Sequence, residues 1–320
     1  MSLKNIIGQE KAVGMLSGVI MRQRVASSYL FCGERGIGKK TTALNFAKAL
    51  NCQQPELQAD ACDVCESCIK IDAGSHPDLL VISPEERQIR IEEIRMIDDI
   101  LSFKPFEGRK KIVLVDDAET MNISAANAFL KTLEEPPEDS LIILISSRPD
   151  LLPATIRSRC SRINFAPLSA EACRRVLSEK VPEQGLELTA RLSMGRPGLA
   201  LSMDLMEERT WFLNLFRDML GAEKDGWASR EDMEKWFEYA LIFLRDMAVY
   251  AVTGGTSGLI NNDLLEYLAR LSKSIDVKVI INIYNELSLL KKLLMFNLNK
   301  SITWNYTASL LRREISVQNA

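Results

Sequence analysis

The feature that most constrains the fold is a glycine-rich turn set between two different hydrophobic patterns. Gly33-Glu-Arg-Gly36-Ile-Gly38-Lys39 follows the apolar run Tyr29-Leu-Phe-Cys32 and opens a helical pattern from Thr42 to Leu50. It fits G-x-x-x-x-G-K. A strand feeding such a turn into a helix lets backbone N–H groups wrap an anion. The helix N-terminus adds positive potential and Lys39 adds a charge. The segment predicts a phosphate loop; the alternative is a glycine-rich turn with no ligand.

The position after Lys39 departs from that chemistry. A hydroxyl there would ligate Mg²⁺, but the chain has Lys40, with Thr41 one place late. One helical position turns a side chain about 100° away. Lysine cannot ligate a cation, so magnesium-dependent hydrolysis is not expected, while ATP or ADP binding stays open. A second segment, Ile112-Val-Leu-Val115-Asp116-Asp117, is an apolar strand ending in acids. Asp116 stands where a metal-organising carboxylate belongs. Asp117 stands where a working ATPase of this type usually has Glu, and a solvated acidic turn is its other reading. The candidate nucleotide site is therefore degenerate: Gly33, Gly36, Gly38, Lys39, Thr41 and Asp116.

Further apolar runs, Leu79–Ile82 and Leu141–Ile145, suit strands buried on both faces. Helical stripes lie between the runs, at Ile91, Ile94, Ile97 and Leu101, and at Ile123, Ala126, Leu130 and Leu133. This alternation predicts an α/β core with a parallel sheet. The strand signal stops near Phe165. Ala166–Ser169 reads as a linker with Ser169 as a helix N-cap, and the remainder reads as helical. Residues 276–298 form the longest helical candidate, with Leu287, Leu290 and Leu294 on one stripe. The predicted domains are 1–165, 166–205 and 206–320.

The chain has 7 cysteines, and four of them crowd together as Cys52, Cys62, Cys65 and Cys68. Two consecutive C-x2-C steps bring thiolates to one tetrahedral ion, which predicts structural Zn²⁺ in a module over about 52–68. An iron–sulfur cluster is the metal alternative, but Asp72 stands where that run needs a fourth cysteine. Cys32, Cys160 and Cys173 read as packing residues. His76 is the only histidine, so histidine-dependent triads are nearly excluded; it is expected to cap the turn before Pro77. No export signal or membrane span is evident, and a cytoplasmic protein is expected. The net charge of −3 argues against coating nucleic acid by bulk positive charge. The basic cluster Arg109-Lys110-Lys111 reads as a solvated turn.

Taken in order, the phosphate loop, the four cysteines, Gly74-Ser-His-Pro-Asp78, Asn127-Ala-Phe-Leu-Lys-Thr-Leu-Glu-Glu-Pro-Pro137 and Ser158-Arg159-Cys160 resemble the bacterial clamp-loader subunits. These are AAA+ proteins that open a ring-shaped sliding clamp and place it on primed DNA. The resemblance is specific over about residues 1–203. It implies an AAA+ core with a zinc-module insert, a small helical lid and an all-α collar domain. The implied partners are gamma/tau and delta subunits in a hetero-pentamer, with the clamp and primed DNA met through the complex. It also implies that Arg159 reaches a neighbouring subunit's ATP site as an arginine finger. The departures favour the family's non-motor member, without independent ATPase activity. A motor has a hydroxyl at position 40, Asp-Glu at 116–117, and a lid arginine where spacing from Ala200-Leu-Ser202 puts Gly198, beside Arg196. The chain is also shorter than a typical motor subunit.

Overall fold

Apolar runs become strands here because helices cover both faces of a parallel sheet. The computed structural model describes residues 1–54, 60–86, 88–221, 226–273 and 275–315. Residues 55–59 of the predicted zinc module lie outside the described residues. The four runs form β1 (Ser28–Cys32), β2 (Leu79–Ile82), β3 (Lys111–Val115) and β4 (Ser140–Ser146). β1, β3 and β4 are buried along their whole length. A fifth strand, β5 (Ser161–Asn164), carries no apolar run: only Ile163 is buried, and it lies at the sheet edge. All pairs are parallel, in the order β2-β3-β4-β1-β5. The strand that leads into the glycine turn, β1, thus lies between β4 and β5. The register pairs Cys32 with Ser146 and Val115 with Leu144, so the carboxyl ends of β1, β3 and β4 share one edge. Ligands of open parallel sheets sit at that edge.

The helices around this sheet are α1 (Glu10–Met21), α2 (Lys39–Asn51), α3 (Glu66–Asp72), α4 (Ile91–Leu101), α5 (Ile123–Glu134), α6 (Ala154–Arg157) and α7 (Ala170–Leu177). α4 buries Ile94, Ile97 and Leu101, as its stripe predicts. Of the stripe expected for α5, Ala126 and Leu133 are buried, Leu130 is half-buried and Ile123 is not buried. The buried face of the helix is Ala125, Ala126, Phe129 and Leu133, while Ile123 is 82% exposed. The Asn122 side chain accepts the Ala125 N–H and starts the helix there, which leaves Ile123 in an open first turn. Ser169 caps α7 as expected, accepting the Ala172 N–H at 3.1 Å.

Two compact units divide the chain: Met1–Glu179 with Gly195–Leu199, and Lys180–Met194 with the residues from Ala200 onward. The second unit is helical, with α8 (Glu183–Leu192), the end of α9 (Pro197–Ser202), α10 (Leu205–Leu220), α11 (Arg230–Thr253), α12 (Leu265–Lys273), α13 (Val277–Leu293) and α14 (Lys300–Glu314). Phe212, Phe216, Trp236 and Phe243 interlock at its centre. The longest helix among the described residues is α11, with 24 residues, and not the 276–298 segment. That segment forms the 17-residue α13 followed by a 3-10 turn. α11 runs through Arg245-Asp246 because the fully buried Asp246 carboxylate accepts N–H groups from Ile260 and Asn261. A paired buried acid no longer interrupts an apolar helix. Among the described residues no helix is long and apolar enough to cross a membrane.

Candidate functional site

β1 delivers the glycine turn to the carboxyl edge of the sheet, and α2 begins at Lys39. Gly36 and Gly38 take φ of 80° and 98°, a region that favours glycine. Gly36 also meets the Gly195–Leu199 segment backbone to backbone. The Gly198 N–H donates to the Gly36 carbonyl at 2.8 Å, and a Cβ on Gly198 would lie 2.8 Å from that same oxygen. An arginine at 198 would displace the loop. Arg196 instead lies 3.6 Å from Glu34.

The buried Lys39 ammonium donates to the carbonyls of Gly33 and Glu34, each at 2.7 Å. Burial pushes its pKa down against the pull of Glu119, Asp117 and Asp116. Lys40 projects its Nζ to 3.0 Å from Asp116 Oδ2. Thr41 is exposed, and the Thr42 hydroxyl turns back to the Gly38 carbonyl at 2.9 Å. Asp117 sits in the left-handed region at φ 46°, and burial, with the Asp116 charge, pushes its carboxyl up. The structure thus gathers Gly33, Gly36, Gly38, Lys39 and Asp116 around one edge and leaves Thr41 on the open side of α2. Sequence reasoning missed Glu119. Its carboxylate takes the Ser147 N–H, the Ser147 hydroxyl and the Arg148 N–H. Burial opposes its ionisation, but hydrogen bonds, the Ser147 hydroxyl foremost, hold its pKa low. No motif flags it, since its partners lie 28 and 29 residues away.

The cysteines meet where α2 ends and α3 begins. Cys52 follows α2, and Cys65 is the residue preceding α3, with Cys68 in its first turn. The four sulfurs lie within 4.8 Å of one another, and Cys62 and Cys68 are 3.9 Å apart. A tetrahedral ion with Zn–S bonds of about 2.3 Å needs sulfur separations of about 3.8 Å, so this set fits zinc. A disulfide needs about 2.05 Å, which none of these cysteines makes. Burial opposes ionisation of Cys62, but the N–H groups of Val64 and Cys65 draw its thiol down to about 6. Burial pushes Cys52 and Cys68 up.

Beside the cysteines lies a group that the sequence did not announce. Lys48 of α2 has no side-chain exposure, and its ammonium donates to Asp63 at 2.5 Å and Asp72 at 2.7 Å. Burial would lower its pKa, yet those hydrogen bonds raise it. Asp63 lies inside the Cys62–Cys65 turn, so this ammonium ties the phosphate-loop helix to the cysteine knuckle.

His76 is not a ligand of the cysteine cluster. Its Nδ1 accepts the Asp78 N–H at 3.0 Å, so Nε2 carries the proton toward Ser67 Oγ at 3.0 Å. Asp78 in turn accepts N–H groups from Phe106, Glu107 and Gly108, which outweigh burial and hold its carboxyl low. Gly74–Asp78 is therefore a loop staple. Cys32 and Cys173 are buried and Cys160 is half-buried, its thiol pushed up by burial to about 12.

Arg159 follows α6 and is one-third exposed. It donates to the Thr155 carbonyl at 2.8 Å and to Glu134 Oε1 at 2.5 Å. Two segments read separately, Glu134-Glu135-Pro136-Pro137 and Ser158-Arg159-Cys160, are thus joined by an ion pair. In the basic cluster, Lys110 pairs with Asp139 at 3.0 Å and Lys111 is buried.

The family described as DNA polymerase III, delta subunit, matches residues 8–169. DNA polymerase III subunit delta' of Pseudomonas aeruginosa is 40% identical over 182 residues, 55% of this chain and 55% of that protein. Subunit tau of Escherichia coli is 35% identical over 206 residues, 62% of this chain and 32% of that protein. The chain thus spans between about a third and just over half of these relatives' lengths. Among solved structures, a DNA polymerase III gamma subunit-related protein of Thermotoga maritima aligns at TM-score 0.43 and 20% identity, covering 94% of this chain and 98% of that one. The match over residues 8–169 makes the chain a member of the DNA polymerase III delta-subunit family, within the clamp-loader group.

Proposed function

We propose that the chain is the non-motor, delta-prime-type subunit of the DNA polymerase III clamp loader. In this role it completes a hetero-pentamer with gamma/tau and delta subunits, which loads the sliding clamp on primed DNA. Residues 1–165 serve as the AAA+ core, 166–205 as the lid and 206–320 as the collar. The observation that carries this reading is the Lys40–Asp116 ion pair at 3.0 Å. It places an ammonium on the carboxylate that a motor needs for its metal. The close packing of Gly198 on Gly36 supports the same reading, since it leaves no room for a phosphate-sensing arginine there.

Arg159 is assigned to the ATP site of a neighbouring gamma/tau subunit, where a guanidinium neutralises charge on the transferred phosphoryl group. Such fingers raise rates by about 10³–10⁵ where measured. Glu134 holds Arg159 by a partly exposed pair worth about 0–1 kcal/mol, weak enough for a triphosphate to displace. The alternative is an active gamma/tau-type ATPase, favoured by the similarity to tau. Steady-state ATPase of reconstituted complexes separates the two. Arg159→Ala should lower clamp- and DNA-stimulated hydrolysis in part, because other sites keep their own fingers, and Lys39→Ala should have much less effect. A larger loss from Lys39→Ala than from Arg159→Ala would return the chain to the motor class.

A further inference from the structure

AAA+ nucleotide sites take their nucleotide with magnesium, and the residues of this site do not fit that ion. Magnesium demands near-octahedral oxygen ligation at about 2.0–2.1 Å, and it reaches a phosphate loop through a hydroxyl after the lysine and a strand-end carboxylate. Here the carboxylate is engaged: Asp116 Oδ2 is 3.0 Å from Lys40 Nζ. The hydroxyls are elsewhere, with Thr41 exposed and Thr42 bonded to the Gly38 carbonyl.

We infer that Lys40 is a tethered cation that takes magnesium's place at Asp116, disfavouring divalent metal by withholding the hydroxyl ligand and by adding a like charge beside that carboxylate. The nucleotide chemistry of the loop is then that of a free polyphosphate, ADP or ATP without metal. Two features favour this over an incidental surface pair. Lys40 occupies the position that would supply the metal's hydroxyl ligand, and its partner is the acid that would organise the metal. The loop also retains what a bare polyphosphate needs: the glycine turn, the helix start and Lys39. Lys40 is 45% exposed and Asp116 22%, so the pair is not a core element and replacing Lys40 leaves the fold intact. The inference rests on the reading of the chain as a non-motor subunit and states what makes it one.

The test is equilibrium binding of fluorescently labelled ADP to the purified chain, in excess Mg²⁺ and in EDTA, for wild type, Lys40→Ala, Lys40→Thr and Lys40→Thr/Asp116→Asn. Matched melting temperatures check folding. Wild type should bind ADP with the same affinity in both conditions, and no measurable binding in either would overturn the inference. Lys40→Thr should bind at least about tenfold more tightly with Mg²⁺ than without, Lys40→Ala should fall between, and the double variant should lose the gain. Magnesium-tightened binding by wild type would overturn the inference. So would a Lys40→Thr variant indifferent to magnesium, including one that binds no ADP. If Lys40→Thr fails while Arg159→Ala still impairs the complex, only this inference falls. If wild type hydrolyses Mg-ATP, the non-motor reading falls with it.

Discussion

Three lysines of α2 show how placement decides what a charge does. Lys39 is folded onto the loop carbonyls, Lys40 reaches an acid at the sheet edge, and Lys48 is sealed between two carboxylates. The third pair set is asymmetric. Asp63 and Asp72 are 27% and 51% exposed, whereas Lys48 is 0% exposed. Removing the lysine leaves acids that water can reach. Neutralising the acids leaves an ammonium that water cannot reach, and an uncompensated buried charge costs about 3–5 kcal/mol. Lys48→Met should therefore destabilise less than Asp63→Asn/Asp72→Asn, by chemical denaturation at neutral pH. The reverse order would refute this account of the site.

Among the elements, long apolar runs were the most legible. β1, β3 and β4 are buried throughout, so their sequences announce them. β5 is held by pairing with β1 at an edge, and Ser161-Arg-Ile-Asn164 carries nothing that predicts it. In α5 periodicity gave the helix and half of its face: Ala126 and Leu133 are buried, but Ala125 and Phe129, and not Ile123, complete it. Phe129→Ala should cost about 3–5 kcal/mol. Ile123→Ser should stay within about 0.5 kcal/mol, as expected for an exposed site. Thermal unfolding of the two variants checks the correction, and a large loss from Ile123→Ser would restore the original stripe. The cysteine knuckle was legible because its ligands are close in sequence. Purified protein should contain about one zinc per chain, and Cys65→Ser should lower both zinc content and stability. Zinc below about a tenth of that, with no chelator present, would argue against the site. The Lys40–Asp116 and Arg159–Glu134 pairs were not legible, since each joins segments far apart in sequence.

At the scale of the whole molecule, the charge balance and its placement point the same way. The net charge is −3, and two of the three residues of the basic cluster are spent internally, Lys110 on Asp139 and Lys111 on burial, while Arg109 is exposed. The isolated chain should bind primed DNA weakly at physiological salt, measured by fluorescence anisotropy across a salt series. Tight binding with a steep salt slope would mark a DNA-binding protein in its own right.

Lys48 has a bearing on how such a chain can change over evolutionary time. Cutting the cysteine knuckle out of the domain would not leave the phosphate-loop helix as it was. Asp63 and Asp72 lie in and just after the knuckle, while Lys48 belongs to the helix. A lineage that trimmed the knuckle would remove Asp63 and uncover the Lys48 ammonium that this carboxylate now partners. The lysine and the knuckle therefore act as one unit, and a version of this domain without the knuckle should keep a polar residue at position 48.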